Sequence, residues 1–323
     1  MVKLERGYLV ISLDFELMWG NIESWKPDGY GTTHVSHVRE VINQLLTLFE
    51  KYQVRATFAT VGLIMQSCKD IRLPNITPTY KNTVLSPYLG YLRNIKDEYE
   101  SLFFAPDVIK KLKDSPFVEI GTHTYCHYYC WEEGQTIEQF EADIKIAVEE
   151  AMREGIELKS IVFPRNQVPT DYLSICKKYG ITSYRGNALK YFDSPRNKYE
   201  ELKNRICRFV DSYLNIGGNT SYKLQKDKDQ ILNIPASRFL RPYSRSLSFL
   251  DSLRFKRIKK EMEYAALNNE VYHIWWHPHN FGANMAQNLS FLERILETYR
   301  VLNNQLGMES MTMNDLCELT HLR

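Results

Sequence analysis

Short aliphatic runs that end abruptly in charged or imidazole side chains recur along this chain, with helical periodicities between them. The first run, Tyr8 to Leu13, stops at Asp14-Phe15-Glu16, and a second, Phe117 to Thr122, hands over to His123-Thr124-Tyr125-Cys126-His127. A third, Ser160 to Phe163, meets Pro164-Arg165-Asn166-Gln167, and a fourth, Val271 to Trp276, meets His277-Pro278-His279-Asn280. Runs this short and apolar read as buried strands. Strands alternating with helices restrict the chain to an α/β architecture. Polar groups at the ends of several strands point further, to a (β/α) barrel whose reactive groups gather at the carboxyl ends of its strands.

The intervening segments agree. Residues 34 to 52 place Val35, Val38, Val41, Ile42, Leu45, Leu46, Phe49 and Tyr52 at helical spacing, and Arg55 to Gly62 follows as a strand. Thr136 to Gly155 is the clearest helix, opened by a Thr136/Gln139 capping box and stopped at Gly155. Residues 170 to 179 read as a helix, Ile181 to Arg185 as a strand, 247 to 268 and 289 to 306 as helices, and Ser310 to Leu316 as a last strand and turn. Two stretches do not fit the alternation, at about 63–116 and 186–235, and are expected to be long insertions in a single domain spanning 1–323.

Composition sets outer limits. With 44% hydrophobic and 25% charged residues the chain is of ordinary soluble type, and a net charge of +2 makes no case for nucleic acid as a partner. The six cysteines are scattered rather than arranged as a framework, which favours a reducing compartment. Asp14 interrupts the first apolar run before it reaches the length of a secretory core, and no segment has the apolar length of a membrane span. A cytoplasmic location is expected. Residues 238 to 260 carry Arg238, Arg241, Arg245, Arg254, Lys256, Arg257, Lys259 and Lys260 against the single acid Asp251. That cluster is either a solvated basic face or a peripheral contact for phosphate or an anionic membrane surface.

The histidines carry the chemistry. A spacing of four puts His123 and His127 on one side of a helical turn, and two histidines plus a carboxylate leave a zinc-like ion with an open coordination position. Asp14 and Glu16 share one face of an extended strand, so both can approach one ion; which is ligand and which is base stays open. Asp14 as a simple helix cap is the plainer alternative. A structural site of Cys126, Cys130, His123 and His127 is another, though it leaves Asp14 and His277 unused. His34 and His37 read as surface groups and His273 as a core histidine. Of Trp19, Trp25, Trp131, Trp275 and Trp276, some could stack on sugars, with core packing the default for Trp275.

With these motifs in view, the chain resembles the polysaccharide deacetylase family, the homologues of chitooligosaccharide deacetylase, from roughly Tyr8 to Asn280. The resemblance implies a distorted (β/α)7 barrel binding one divalent metal ion, zinc being the usual expectation, and hydrolysing an N-acyl group, usually N-acetyl, from a sugar. His123 and His127 match the family's His-x-x-x-His metal pair. Asp14 matches its base and Glu16 its metal-binding acid, in a variant first motif of Asp-x-Glu rather than two adjacent Asp residues. Phe163-Pro164-Arg165 resembles a rearranged third motif, in which Arg165 would restrain Asp14. Trp276-His277-Pro278 resembles the last motif, which makes His277 the general acid and His279 its rival. Trp19, Asn166, Trp276 and His279 are then expected to line the substrate site. Absent export signals favour a precursor substrate, an N-acylated sugar on a lipid or nucleotide carrier for a surface glycan or glycolipid. The alternatives are a catalytically silent glycan-binding relative and a metal-dependent hydrolase of non-sugar amides. Oligomeric state is not legible.

Overall fold

The computed structural model describes residues 4–188, 198–225 and 231–321. β1 (Tyr8–Phe15) lies at the middle of a wholly parallel sheet, flanked by β2 (Ala56–Thr60) and β8 (Val271–Trp276). Beyond β2 come β3 (Val118–Thr122), β4 (Ser160–Ile161), β5 (Ser183–Tyr184) and β6 (Leu232–Asn233), and beyond β8 comes β7 (Arg238–Phe239).

β6 and β7 belong to one extended segment, and that segment closes the sheet on itself. Its first half bonds to β5, with Leu232 N–H donating to Thr182 O at 2.8 Å and Ile234 N–H to Tyr184 O at 2.9 Å. Its second half bonds to β8, with Ser237 N–H donating to His273 O at 2.7 Å and Leu240 N–H to Trp275 O at 2.8 Å. Counted as one bent strand, this segment completes a ring of seven, the expected distorted (β/α)7 barrel.

The alternation of side chains along β1 divides the core. Leu9, Ile11, Leu13 and Phe15 face outward into a large apolar layer with the helices, including α1 (Val38–Tyr52) and α3 (Ile137–Arg153). Val10 faces inward and joins Val162, Leu232, Val271 and residues Met313, Leu316 and Cys317 of α8 (Met313–His321) in a second cluster that plugs the amino end of the barrel. α3 opens as expected, with Thr136 and Gln139 satisfying each other's backbone N–H groups. One short element completes β1's surroundings: β9 (Glu309–Met311) pairs with Tyr8 to Val10, on the stretch that β2 leaves free.

The region from 63 to 116 is largely irregular and ends in α2 (Pro106–Asp114). Within the second expected insertion lies a helix that the sequence pattern does not predict, α5 (Lys198–Asp211). The sequence pattern also predicts no strand between 231 and 240. The remaining helices are α4 (Leu173–Lys178), α6 (Asp251–Asn268) and α7 (Met285–Leu306).

The basic stretch from 238 to 260 does not form one exposed face. Arg238 and Arg257 are buried against Asp211 and Glu261, with Arg238 Nε donating to Glu261 Oε2 at 2.7 Å. Arg254 is buried over the Phe291 ring at 3.9 Å. Three of the eight basic groups therefore turn inward, because desolvated guanidinium finds carboxylates, carbonyls and a ring there. Among the described residues no helix is long and apolar enough to cross a membrane.

Candidate metal and catalytic site

Ser12 and Asp14 of β1, with Glu16 one step beyond its end, point into the carboxyl mouth of the barrel. Arg185, the first residue past β5, meets Asp14 there: Nη1 donates to Oδ1 at 2.6 Å and Nη2 to Oδ2 at 2.7 Å. The same guanidinium donates to Ser12 Oγ and to Asn166 Oδ1, both at 3.0 Å, and lies 4.2 Å from the centre of the Trp275 ring. Arg185 and Asp14 are buried. Burial alone would push the Asp14 carboxyl up, but the Arg185 guanidinium, helped by His123 and His277, outweighs it and holds the group below the ordinary range.

Glu16 faces imidazoles instead. Its Oε2 is 3.1 Å from His127 Nε2 and 3.4 Å from His123 Nε2, while Oε1 is 3.6 Å from His277 Nε2. Burial again opposes ionisation, and the facing histidines, His277 foremost, reverse it and hold this carboxyl well below its usual range. Gly20 makes room for the carboxylate, since a Cβ there would lie 2.1 Å from Glu16 Oε1.

His123 and His127 are not on a helix. β3 ends at Thr122, and the next residues form a loop in which Thr124 and His127 adopt φ of 63° and 60°. The loop is pinned from α3, where the buried Asp143 carboxylate accepts from Tyr125 N–H at 2.7 Å and Cys126 N–H at 3.1 Å. Tyr128 N–H donates to Thr124 Oγ1 at 2.7 Å. Sidewise bonding, not i-to-i+4 helix geometry, brings the two rings to a centroid separation of 5.0 Å. Left-handed φ recurs at Leu17, Arg165 and Asn166, so non-glycine strain gathers around this mouth.

One ligand atom each from Glu16, His123 and His127 lies within 4.8 Å of the other two. His123 Nδ1 is 2.8 Å from Val162 O, which can only accept, so Nδ1 carries a proton and Nε2 is the atom presented to Glu16. Burial lowers the His127 pKa despite the nearby Glu16 charge, favouring the neutral ring. Two imidazole nitrogens and a carboxylate oxygen converging in one buried pocket are a donor set that fits a divalent metal. Cys126 and Cys130 are buried thiols outside the cluster.

His277 stands opposite, its Nε2 3.8 Å from Asp14 Oδ2 and 3.6 Å from Glu16 Oε1. Asn280 Nδ2 lies 3.3 Å from His277 Nδ1, and Asn280 Oδ1 accepts from the Tyr30 hydroxyl at 3.3 Å, which orients the imidazole. His279 is buried against Trp25 and Tyr30, and burial takes its pKa down to about 3. It stays neutral at neutral pH and so carries no imidazolium proton to give.

Several expected residues lie elsewhere. Arg165 does not reach Asp14: it pairs with Glu23 and Glu132 and lies 4.1 Å over the Tyr129 ring. The restraint expected of Arg165 comes from Arg185. Trp19 is 1% exposed, donates from Nε1 to Phe103 O at 2.8 Å, and belongs to the core. Trp276 is also core, stacked on Phe281 at 5.5 Å, because its register partner Leu13 faces outward. By the same register Trp275 pairs with Ser12 and faces the mouth, against the expectation of core packing. Asn166 holds Arg185, and His273 is the expected core histidine, bonded through Nε2 to Ser12 Oγ at 2.8 Å.

Arg185 was within reach of the rule applied to the other strands, since it is the polar residue that ends the run Ile181 to Tyr184. Residues 28–184 match the sequence model of the polysaccharide deacetylases. That stretch of the chain is similar to the polysaccharide deacetylases. That match contains His123, His127, Arg165 and Asn166, whereas Asp14, Glu16, Arg185 and His277 lie outside it.

A polysaccharide deacetylase described from Mycobacterium smegmatis superimposes with a TM-score of 0.63 at 10% identity, covering 99% of this chain and 93% of that one. A polysaccharide deacetylase described from Pseudomonas aeruginosa gives 0.55 at 13% identity, covering 98% and 91%. The Puue allantoinase gives 0.53 at 12% identity, covering 98% and 90%. At such identities the likeness establishes the fold. No curated protein gives a significant match. The match over residues 28–184 supports a hydrolase acting on acetylated carbohydrate.

Proposed function

We propose that the protein is a metal-dependent hydrolase that removes an N-acetyl group from a sugar. The observation that carries this is the juxtaposition of the Glu16, His123 and His127 cluster with an Arg-held Asp14 and the imidazole of His277. A divalent ion held by that cluster, zinc by donor type, would polarise the amide carbonyl and lower the pKa of water toward about 7.

The remaining parts belong to the chain itself. Asp14 is kept ionised by Arg185 and is the group to accept the proton of the attacking water. Glu16 shares the pocket but is committed to the histidines, which assigns it the ligand role and leaves the base role to Asp14. His277 reaches toward both carboxylates and is 23% exposed along its side chain, so it can donate a proton to the departing amine and recover it from solvent. The ring of Trp275, and Trp131 with 62% exposure near Arg165, offer faces for a pyranose.

The test is turnover of N-acetylhexosamines by protein of measured metal content. Deacetylation proportional to bound metal, lost on chelation and restored by Zn2+, is the expected result. Metal-loaded protein that leaves N-acetyl sugars intact while hydrolysing linear amides or ureides would overturn it.

A further inference from the structure

A second cavity of about 510 Å³ lies in the 63–116 region, within the size range of small-molecule sites at roughly 300–1,000 Å³. Its walls are Tyr91, Tyr99 and Phe103 on one hand and Val84, Leu89 and Ile95 on the other. Polar side chains are the minority of the lining: Thr83, Ser86, Asn94 and Lys96, with the hydroxyls of Tyr91 and Tyr99. The Asn94 amide donates to Gly90 O and Lys96 pairs with Glu98 at 3.6 Å. Ser86 lines the cavity at 2% exposure, and its hydroxyl has no partner among the described residues.

This lining selects a ligand class. A buried sugar carries several hydroxyls, each costly to desolvate without a partner, whereas Val84, Leu89, Ile95, Phe103 and Pro27 offer it none. A hydrocarbon chain with at most one polar atom has no such demand. Val84 and Leu89 continue the apolar surface outward, at 55% and 62% exposure.

The cavity borders the loop that follows β1 and packs against the metal site. The loop after β1 supplies Pro27 to the cavity, and on either side of it Trp25 and Tyr30 pack on His279 at 5.0 and 5.8 Å. Phe103 of the cavity wall lies 5.0 Å from Trp19, whose backbone N–H bonds Glu16 O. The 63–116 region departs from the carboxyl end of β2, the end of the barrel at which the metal ligands sit. We propose that this cavity holds the hydrocarbon chain of an amphiphilic substrate whose acylated sugar head occupies the metal site, an inference that rests on the deacetylase reading for its head group alone.

The experiment is titration calorimetry of the metal-loaded protein with alkyl β-glucosides of six to twelve carbons below their micellar concentrations, which probe the cavity without an N-acyl group. Affinity is expected to rise about threefold to fourfold per added methylene, in proportion to apolar area buried. The rim variants Val84→Asp and Leu89→Asp replace exposed side chains and should fold; each is expected to weaken the longest glucoside at least tenfold. Affinity independent of chain length, or unchanged in both variants, would overturn the proposal. Turnover of free N-acetylglucosamine against its dodecyl glycoside then separates the two readings. Chain binding without any deacetylation would sink the deacetylase and leave the cavity, while equal turnover of both would sink the cavity's role in substrate selection and leave the deacetylase.

Discussion

Arg185 grips both carboxylate oxygens of Asp14, at 2.6 and 2.7 Å, and presses its other face on Trp275. The pair is wholly buried, so removing one member strands the other charge in a medium that cannot solvate it. Arg185→Met is expected to lose about 3–5 kcal/mol of stability at neutral pH, measured by urea unfolding. With Asp14 paired, its folded pKa lies below the unfolded value, so the pair's stabilisation is present above about pH 4 and is lost as pH falls through the folded value. Without the guanidinium, burial governs Asp14 and its pKa rises. The acid limb of the kcat/KM profile should therefore move to higher pH in the variant; an unmoved limb would mean that Asp14 is not the base.

Metal binding and proton donation are assigned to different residues and should separate. Glu16→Ala, His123→Ala and His127→Ala are expected to purify with little metal. His277→Ala should keep its metal and lose about 10²–10⁴ of kcat, the range for a missing general acid or base. Elemental analysis beside turnover checks both, and metal loss in the His277 variant would reassign that residue as a ligand.

Gly20 is needed for closeness. A methyl group there would occupy the space of the Glu16 carboxylate, which can yield only by turning from the histidines. Gly20→Ala should fold and bind metal roughly 10–100-fold more weakly, as for other lost supports of a ligand. Competition with a fluorescent chelator reads the change directly.

Asp143 braces the histidine loop at an energetic cost. Burial raises its pKa to about 6, above the unfolded value, so the folded state binds the proton more tightly and stability falls as pH rises between about 4 and 6. A shift of about two units corresponds to roughly 3 kcal/mol. Asp143→Asn removes this titration but keeps one acceptor for two backbone donors. Its stability relative to wild type should improve from pH 4 to pH 6 while its metal affinity drops, seen by denaturant titration at several pH values.

Much of this was legible in the residues. The strands carrying Asp14, His123 and His277, and the capped helix from Thr136, announce themselves by apolar runs and cap chemistry that do not depend on distant contacts. The closing segment around Leu232 and Phe239 did not, because its two paired stretches are two residues each and Pro235 lies between them. Arg165 attracted the role of Arg185 through its Pro-Arg context, yet its left-handed backbone sends it to Glu23 and Glu132. Trp276 and Trp275 could have been sorted by parity alone: if Asp14 and Ser12 face the mouth, the register that pairs Ser12 with Trp275 turns Trp276 away. Trp19 had no such signal, since its burial comes from Phe103 and Phe104, far along the chain.

Among the described residues the segment from Ile231 to Leu240 is the single link between the two ends of the sheet, and it lies directly alongside Arg185, bonding Tyr184 O and Gly186 O on either side of it. His123 and His127 sit across the ring, anchored instead through β2 and α3. When the molecule begins to open on heating, the break at that link would let water reach the Asp14 and Arg185 pair while the metal ligands are still in place. Turnover should then fail at a lower temperature than metal release, so that the warmed protein passes through a metal-loaded but inert form.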